Sequence, residues 1–248
     1  MFGKANEINK ESPMPLYYQL EDLLRKAISS GELKPGEMIP TEWEIIEHFN
    51  LSRTTVRQAL TDLVNENLLY KKKGIGTFVA KPKIDLQYMG NMLSYDNQII
   101  GAGLKPSTKV LKLEIITADD FLLDEMQLTK ERKIIELIRL RYADDEPIAV
   151  IQSFLPYDLC AFIMDKDLEQ NSLYETLAQN RKTTVVRVER EVAAQIISKE
   201  DGKLLNVEKG FPVQSFLNKA YNEEGRILEY CHSRYRGDRN KFCITIKV

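Results

Sequence analysis

Residues 41–60 read TEWEIIEHFNLSRTTVRQAL and contain two short helical patterns separated by a tight connection. Thr41 followed three residues later by Glu44 is a capping-box signature, so the first helix begins there. Ser52 can cap the second helix, which carries apolar residues at three- and four-residue intervals from Val56 to Val64. This order predicts a helix-turn-helix, in which the second helix enters the major groove and presents its first side chains to base edges.

The elements on either side of this motif complete one compact unit. Before it, an amphipathic helical pattern ends at Gly31. After it, the third helix is expected to end near Asn67, and strand-like runs at 68–70 and 77–79 flank a basic hairpin tip. Three helices and a β-hairpin predict a winged helix-turn-helix, in which Trp43 is expected in the core or at an interface.

The net charge of −2 hides a local excess of positive charge. Residues 49–82 hold six basic side chains against two acidic ones, whereas residues 1–48 hold five against nine. Arginine and glutamine can read guanine and adenine, and glycines let backbone amides approach phosphates. A solvated helix face and a charged surface turn are the alternative interpretation. The predicted DNA-binding residues are Ser52, Arg53, Thr54, Thr55, Arg57, Gln58, Lys72, Gly74, Gly76 and Thr77.

Beyond residue 80 the sequence changes character. Residues 81–92 show no apolar periodicity, so we interpret them as a linker between a winged helix-turn-helix domain at 13–80 and a second domain at 93–248. Strand patterns with a few short helices predict an α+β fold with a mostly antiparallel sheet. The expected strands are Val110 to Thr117, Ile134 to Tyr142, Ile148 to Leu155, Thr184 to Ala193, Val213 to Tyr221, Ile227 to Tyr235 and Cys243 to Val248. The expected helices are Asp119 to Met126, Ser172 to Ala178 and Ser198 to Leu205.

The sequence also argues against several classes of protein. No segment reaches the roughly 20 apolar residues of a transmembrane helix and no signal-peptide run opens the chain, so we expect a cytoplasmic protein without a membrane partner. Cys160, Cys231 and Cys243 form no CxxC pair, which excludes a disulfide framework and a structural zinc site. His48 and His232 accompany no catalytic, metal-ligand or glycine-rich phosphate motif, so we expect no enzyme, no catalytic residue, no metal and no cofactor.

Two arginines in the second domain point to a binding pocket. Arg139 and Arg141 stand two residues apart on an expected strand, so their side chains lie on the same face of the sheet. Paired guanidinium groups repel each other unless an anion joins them, and a phosphate or carboxylate fits that role. The alternative is that both arginines pair with surface acids such as Asp144.

The DNA-reading motifs resemble those of a known family. Residues 40–42, 51–60 and 74–79 are similar to the winged helix-turn-helix of the GntR family of bacterial repressors. The resemblance covers residues 15–80, with Asn67 where the family usually has glycine, and both residue types tolerate the left-handed conformation. It implies double-stranded operator DNA as the partner. Because one helix reads few bases, we expect a homodimer that binds a pseudo-palindromic site.

The second domain carries more scattered motifs, spread over residues 90–247, that resemble the UTRA domain of the HutC subgroup. These motifs are residues 92–95, 103–107, 139–141 with Pro147, 229–230 and 235–236. The resemblance implies a chorismate-lyase-like fold that binds small effectors and also forms the dimer. Sugar-phosphate-responsive members imply a phosphate site at Ser94, Arg139, Arg141, Ser172 and Tyr174, and contacts to sugar hydroxyls from Glu229 and Tyr235.

One position departs from that pattern. Ile151 lies four residues after Pro147, where many relatives have an acid, which changes the polar end of the ligand that this chain would accept. The resemblance implies a repressor controlled by a small anionic effector, with a phosphorylated sugar expected. Two alternatives stay open, a regulator that senses a non-phosphorylated carboxylate and a chorismate-lyase-like enzyme.

Overall fold

The structure is a computed structural model that describes residues 8–87, 95–129 and 132–243. The chain divides into two compact units, with the division between Pro82 and Lys83. Each unit has its own buried core, and each is described by itself.

The first unit contains three helices and a two-stranded antiparallel hairpin. The helices are α1 (Leu16–Ser29), α2 (Glu42–Phe49) and α3 (Arg53–Asn65), and the strands are β1 (Leu69–Lys72) and β2 (Gly76–Val79). Apolar side chains from all five elements form one core, which includes Leu20, Leu24, Ile45, Val56, Leu60, Leu63, Leu69 and Val79.

Local hydrogen bonds fix the ends of α2 and α3. The Glu44 amide donates to Thr41 Oγ1 at 3.3 Å, and the Thr41 amide donates to the Glu44 carboxylate at 2.7 Å. Helix α2 ends at Phe49, and Asn50, which follows it, has a left-handed backbone with φ of 49°. Ser52 Oγ then accepts the Thr55 amide at 3.1 Å. The predicted capping box and the predicted serine cap are therefore confirmed.

Trp43 lies on the surface, with 71% of its side chain exposed. The core-facing stripe of α2 consists of Ile45 and Phe49, and Trp43 precedes that stripe. Because the helix has 3.6 residues per turn, Trp43 falls outside the buried face. Trp43 was expected in the core or at an interface, and the core position is wrong, whereas the interface position stays a prediction.

The second unit is built on a six-stranded antiparallel sheet with strand order β4-β5-β6-β9-β8-β7. Its strands are β4 (Pro106–Thr117), β5 (Lys133–Ala143), β6 (Glu146–Pro156), β7 (Arg187–Ile196), β8 (Pro212–Tyr221) and β9 (Ile227–Arg236). Its helices are α4 (Tyr95–Gly101), α5 (Asp120–Glu125), α6 (Tyr157–Cys160), α7 (Leu173–Leu177) and α8 (Lys199–Leu204), with 3₁₀ turns at Ala161–Asp165 and Arg181–Thr183. The α+β fold with an antiparallel sheet is confirmed.

A further strand lies inside the segment that we interpreted as a linker. Strand β3 (Ile84–Gln87) pairs in parallel with β10 (Asn240–Cys243), and the side chain of Ile84 is buried. Its partner is more than 150 residues away along the chain, so local periodicity could not indicate the pairing. An interpretation of 81–92 as linker throughout was wrong, and residues 88–92 lie outside the described ranges.

The remaining strand predictions concern the end of the chain and the start of β7. The predicted strand Cys243 to Val248 lies outside the described residues except for Cys243, which belongs to β10. Strand β7 begins at Arg187 and not at Thr184, because Thr184 still belongs to a turn in which its amide donates to the Arg181 carbonyl.

Candidate nucleic-acid interface and effector pocket

Helix α3 presents a polar outer face at its N-terminal end. Arg53, Thr54, Arg57 and Gln58 are exposed, whereas Val56 and the other apolar residues of the stripe are buried against the core. The exposed side chains are those that a recognition helix would place in a major groove.

Three of the predicted DNA-binding residues, Ser52, Thr55 and Gln58, already have partners within α3 and its N-cap. Ser52 Oγ and Thr55 Oγ1 lie 2.8 Å apart, and Ser52 also caps the Thr55 amide. Gln58 Nε2 donates to the Asp62 carboxylate at 2.8 Å. Gln58 must give up this hydrogen bond before its amide can read a base, so its net gain from a base contact is smaller than that of an exposed arginine.

The hairpin forms a wing stiffened by aromatic side chains. Tyr70 and Phe78 are stacked with ring centroids 5.5 Å apart, and Lys72 Nζ lies 5.1 Å from the Phe78 centroid. Gly74 has φ of 74°, a left-handed backbone that favours glycine at the tip. A Cβ on Gly76 would lie 2.9 Å from Met38 Sδ, so the wing packs closely on the chain there.

Lys71 and Thr77 of the wing are already engaged in contacts with other parts of the first unit. Lys71 Nζ lies 3.5 Å from a carboxylate oxygen of Glu42, which ties the wing to α2. Thr77 is half-buried, and its carbonyl accepts the Ile39 amide at 2.9 Å. Lys72 and the Gly74 backbone are therefore the groups best placed to meet a phosphate.

In the second unit, Arg139 and Arg141 lie on one face of the sheet. Within β5, β6 and β9, Arg139 aligns with Ile151 and then with Ser233. Arg141 aligns with Ala149 and then with Tyr235. Because residues directly opposite each other share a face, both arginines and Tyr235 belong to the same surface, which we name the effector face.

Both guanidinium groups are buried and only weakly compensated. Arg141 contacts the Tyr95 ring with a 4.2 Å distance from Cζ to the centroid, lies 3.9 Å from an Asp96 oxygen and donates to Thr108 Oγ1. Arg139 donates to Ser153 Oγ at a long 3.5 Å. Within the described residues, the Nε atoms of both arginines are buried without a hydrogen-bond partner.

This arrangement lowers the pKa of Arg141, first because burial disfavours the charged form and second because Arg139 carries a like charge. Asp144 does not supply the missing negative charge. Its carboxylate accepts the Lys105 amide at 3.0 Å, and within the described residues it pairs with neither arginine. The effector face can thus accept an anion with two hydrogen-bonding cations.

The opposite end of the effector face is acidic. Glu229 is buried on β9, and the Tyr174 hydroxyl of α7 donates to its carboxylate at 2.7 Å. Burial, followed by the charge of Glu229, raises the pKa of Tyr174. Burial and the same carboxylate raise the pKa of Cys231 to about 11, while Arg139 opposes that shift. Cys231 thus lies between the basic and acidic ends of the face.

Three further residues, Tyr235, Ser172 and Ser94, were predicted to bind the effector. Tyr235 packs edge-on against Phe216 and Phe242, with centroid distances of 5.5 and 5.4 Å. Ser172 precedes α7 at its N-cap without a side-chain capping hydrogen bond. Ser94 lies outside the described residues.

Sequence reasoning missed several residues of the effector face. Thr108 and Ser153 contact the arginines, and Cys231 and Ser233 continue the alternation on β9 that begins at Glu229. For Cys231 and Ser233, the only signal in the sequence was the two-residue spacing of positions 229, 231, 233 and 235. Identifying Thr108 and Ser153 required the strand register.

The described ranges 8–87, 95–129 and 132–243 contain no candidate for a membrane-spanning helix. No group of three or more His, Cys, Asp or Glu side chains in those ranges could hold a metal ion.

Comparison with known proteins gives matches over both units. Residues 16–79 match the family described as "Bacterial regulatory proteins, gntR family", and residues 101–241 match the UTRA domain. The HTH-type transcriptional repressor NagR of Bacillus subtilis (strain 168) is 34% identical over 95% of this chain and 96% of its own length. The mannosyl-D-glycerate transport/metabolism system repressor MngR of Escherichia coli (strain K12) is 32% identical over 93% of this chain and 95% of its own.

The crystal structure of PhnF from Mycobacterium smegmatis has the same fold, with a TM-score of 0.65 at 23% identity over 93% of this chain and 98% of that one. NagR and MngR are transcriptional repressors, and the expectation that this chain is not an enzyme is confirmed. The chain belongs to the GntR family of bacterial transcriptional regulators, in the HutC subgroup, whose members carry a UTRA domain.

Proposed function

We propose that this regulator is a cytoplasmic repressor that binds a pseudo-palindromic operator as a homodimer and is controlled by a phosphorylated sugar. The observation that carries the effector assignment is the buried pair Arg139 and Arg141, whose Nε atoms lack partners within the described residues. A phosphate group offers several acceptor oxygens and negative charge, which matches two guanidinium groups on one face.

The acidic end of the effector face supports a sugar as the rest of the ligand. The half-buried Tyr174 donates its hydroxyl to the buried carboxylate of Glu229, and a carboxylate can accept further hydrogen bonds from hydroxyl groups. Tyr235 and its aromatic neighbours supply an apolar wall against which a sugar ring can pack. The ligand we propose thus spans the face from its basic end to its acidic end.

A sugar with a carboxylate in place of the phosphate is the second candidate. The names of two relatives support it, since one represses a mannosyl-D-glycerate system and another is a probable fructoselysine utilization operon repressor, and both compounds contain a carboxylate. Arginine binds carboxylates in the same bidentate geometry. We favour the phosphate because two buried guanidinium groups suit a doubly charged group better.

The DNA half of the proposal depends on the exposed face of α3. Arg53 and Arg57 would read base edges, Thr54 would lie near the backbone, and Lys72 of the wing would contact phosphates. Two copies of this surface would match a site with two-fold symmetry.

The second unit begins close to the effector face. Ile84 of β3 directly follows the boundary at Lys83 and packs in the same apolar cluster as Ile151 and Tyr235. A ligand that moves Tyr235 therefore acts on the first strand after the DNA-binding unit. Coupling free energies of about 1–3 kcal/mol are typical, and operator and effector must weaken each other by the same factor.

The experiment has two stages. DNA selected from a randomised duplex pool defines the operator, and its sequence should have two-fold symmetry. Operator affinity is then measured with phosphorylated sugars, their unphosphorylated forms and sugar carboxylates. Release by a phosphorylated sugar supports the proposal, release by carboxylates alone supports the second candidate, and release by none of them refutes both.

A further inference from the structure

The side chain of Gln58 is turned away from the N-terminal end of α3. Its Nε2 donates to the Asp62 carboxylate at 2.8 Å, and Asp62 lies four residues later, about one helical turn toward the C-terminus. Side chains on helices usually lean toward the N-terminus, where Ser52 and Arg53 begin the exposed polar face. The hydrogen bond therefore directs the Gln58 carboxamide away from that end.

Asp62 is itself contacted from α1. Gln58 is exposed, whereas Asp62 is half-buried and lies within hydrogen-bonding reach of Glu21, a residue of α1 that is only 3% exposed. Glu21 Oε2 accepts a hydrogen bond from Arg25 Nη2 at 2.8 Å. Glu21 Oε1 is buried and, among the residues that the structure describes, has no hydrogen-bond donor. This second oxygen is the one left for Asp62.

A proton on Glu21 would satisfy both carboxyl groups. Two ionised carboxylates have only acceptor oxygens and repel each other, whereas a protonated carboxyl donates a hydrogen bond. Burial raises the pKa of Glu21, and the neighbouring Asp62 raises it further, while Arg25 opposes the shift. A proton would give the buried oxygen a partner, and it would hold the Asp62 carboxylate in place.

The same network fixes α1 against α3. Arg25 Nη2 lies 2.8 Å from Glu21 Oε2 and 2.6 Å from Glu66 Oε1, and Glu66 is the C-cap of α3. Because Asp62 is contacted by a side chain of this fixed helix, it is not free to follow Gln58 toward a base.

We propose that Asp62 is a positioning residue that withholds Gln58 from the operator, and that the protonated carboxyl of Glu21 keeps Asp62 in place. Gln58 then contributes to base reading only the free energy that exceeds the loss of its hydrogen bond to Asp62. Discrimination at the base pair opposite Gln58 is therefore weak. This inference rests on the proposed DNA-reading face of α3 and adds a restraint on one of its side chains.

A double-mutant cycle on the full-length regulator tests the restraint. Affinities are measured for a panel of operator duplexes, each with one base pair substituted, and the base pair at which Gln58→Ala relaxes the preference is the one that Gln58 reads. Asp62→Ala frees the carboxamide, so it should strengthen operator binding about two- to tenfold and sharpen the preference at that base pair. In the Gln58→Ala background, Asp62→Ala should sharpen no preference.

Asp62→Asn is the matched control for charge. Removal of a negative charge near DNA phosphates strengthens binding to all sequences alike, and asparagine keeps an oxygen that can accept the hydrogen bond from Gln58. This variant should gain affinity equally for operator and random duplexes. A preference as sharp as that of Asp62→Ala would assign the effect to charge and overturn the restraint.

Two substitutions of Glu21 test its role. Glu21→Gln can still donate to Asp62 and accept from Arg25, so its base preference and its midpoint of urea unfolding should equal those of the wild type. Glu21→Leu removes the donor and should sharpen the preference as Asp62→Ala does, with circular dichroism to verify folding. An unchanged preference in a folded Glu21→Leu variant, or a sharpened one in Glu21→Gln, would refute the role of Glu21.

The outcomes separate this inference from the proposed function. A regulator that binds its operator, but whose Gln58→Ala variant keeps the wild-type preference at every base pair, would refute the inference and leave the repressor intact. Weaker operator binding by Asp62→Ala that disappears in the Gln58→Ala background would show that Asp62 presents Gln58 to DNA, which is the opposite role. A regulator without affinity for any duplex would refute both proposals.

Discussion

The Tyr174 hydroxyl donates a 2.7 Å hydrogen bond to the buried carboxylate of Glu229, joining the short helix α7 to strand β9. Glu229 is buried and Tyr174 is half-buried, so water competes little for this hydrogen bond. The pair therefore stabilises the fold and, in the proposed function, holds a carboxylate ready for a ligand.

Replacing Tyr174 by phenylalanine should reduce the stability of the second unit. The change leaves a buried carboxylate oxygen without its donor, which costs about 1–3 kcal/mol. Urea unfolding checks the size of the loss. Glu229→Gln keeps an acceptor for the hydroxyl and should cost less than Tyr174→Phe, and the reverse order would contradict the importance of this hydrogen bond.

Replacing Arg139 by alanine should abolish the response to a phosphorylated sugar while operator affinity stays at the wild-type value. Arg139 has no acidic partner within the described residues, so its loss removes a buried uncompensated charge and should not lower the melting temperature. Operator affinity with and without the sugar is measured together with thermal unfolding.

The matched control is Arg181→Ala, which removes an exposed arginine paired with Glu223 at 3.0 Å. That variant should respond to the ligand normally. A stable Arg139→Ala protein with a full ligand response would exclude Arg139 from the phosphate site, and a destabilised one that still responds would indicate a structural role.

Arg57 and Lys72 should differ in how they affect DNA binding. If Arg57 reads a guanine, its replacement by alanine costs about 1–3 kcal/mol on the operator and little on random DNA. Lys72→Ala should weaken binding to all sequences alike and reduce the salt slope by about one. Titrations on operator and random duplexes at several salt concentrations distinguish the two. Equal losses on both duplexes for Arg57→Ala would remove it from the base-reading residues.

The Ser52→Ala variant distinguishes a helix-capping role of Ser52 from a direct contact with a DNA phosphate. Loss of the hydrogen bond to the Thr55 amide should destabilise the DNA-binding unit by about 1 kcal/mol. If capping is its whole role, operator affinity falls only in proportion to that loss. An affinity loss at unchanged melting temperature would instead show direct contact between Ser52 and the DNA backbone.

His232 should make the stability depend on pH just below neutrality. Burial, followed by the positive charge of Arg234, lowers the pKa of His232 from its ordinary value of 6.5, and Asp201 opposes this shift. The unfolded chain then binds a proton more readily than the folded one, so stability is fully present above pH 6.5 and falls as pH decreases toward the lowered value.

Thermal unfolding from pH 5 to pH 8 tests this expectation for the wild type and for His232→Gln, which should show a flatter profile. A His232→Gln profile as steep as that of the wild type would assign the pH dependence to other groups.

The DNA-binding unit could be predicted almost completely from sequence because its signals are local. Thr41, Glu44 and Ser52 act on backbone amides three residues away, and Asn67 indeed has a left-handed φ of 59°. Trp43 was the exception, because the sequence does not show whether an aromatic residue next to an apolar stripe lies on the buried or the exposed face of the helix.

The effector face could be predicted only in part because its members meet through strand register. The two-residue spacing of Arg139 and Arg141 was enough to place both on one face. Thr108 and Ser153 come from strands that meet β5 only after folding, and no short pattern identifies them. The same holds for β3, whose parallel partner lies at the other end of the chain.

The pairing of β3 with β10 also affects the order in which the two units fold during synthesis. Asn240 lies 156 residues after Ile84, so the ribosome must synthesise almost the whole second unit before β3 can find its partner. Domains fold as units and the N-terminal one folds first during synthesis, at about 5–20 residues per second. A nascent chain therefore carries a folded DNA-reading head for many seconds before the strand that follows it is anchored, and during that interval no effector site exists to control it.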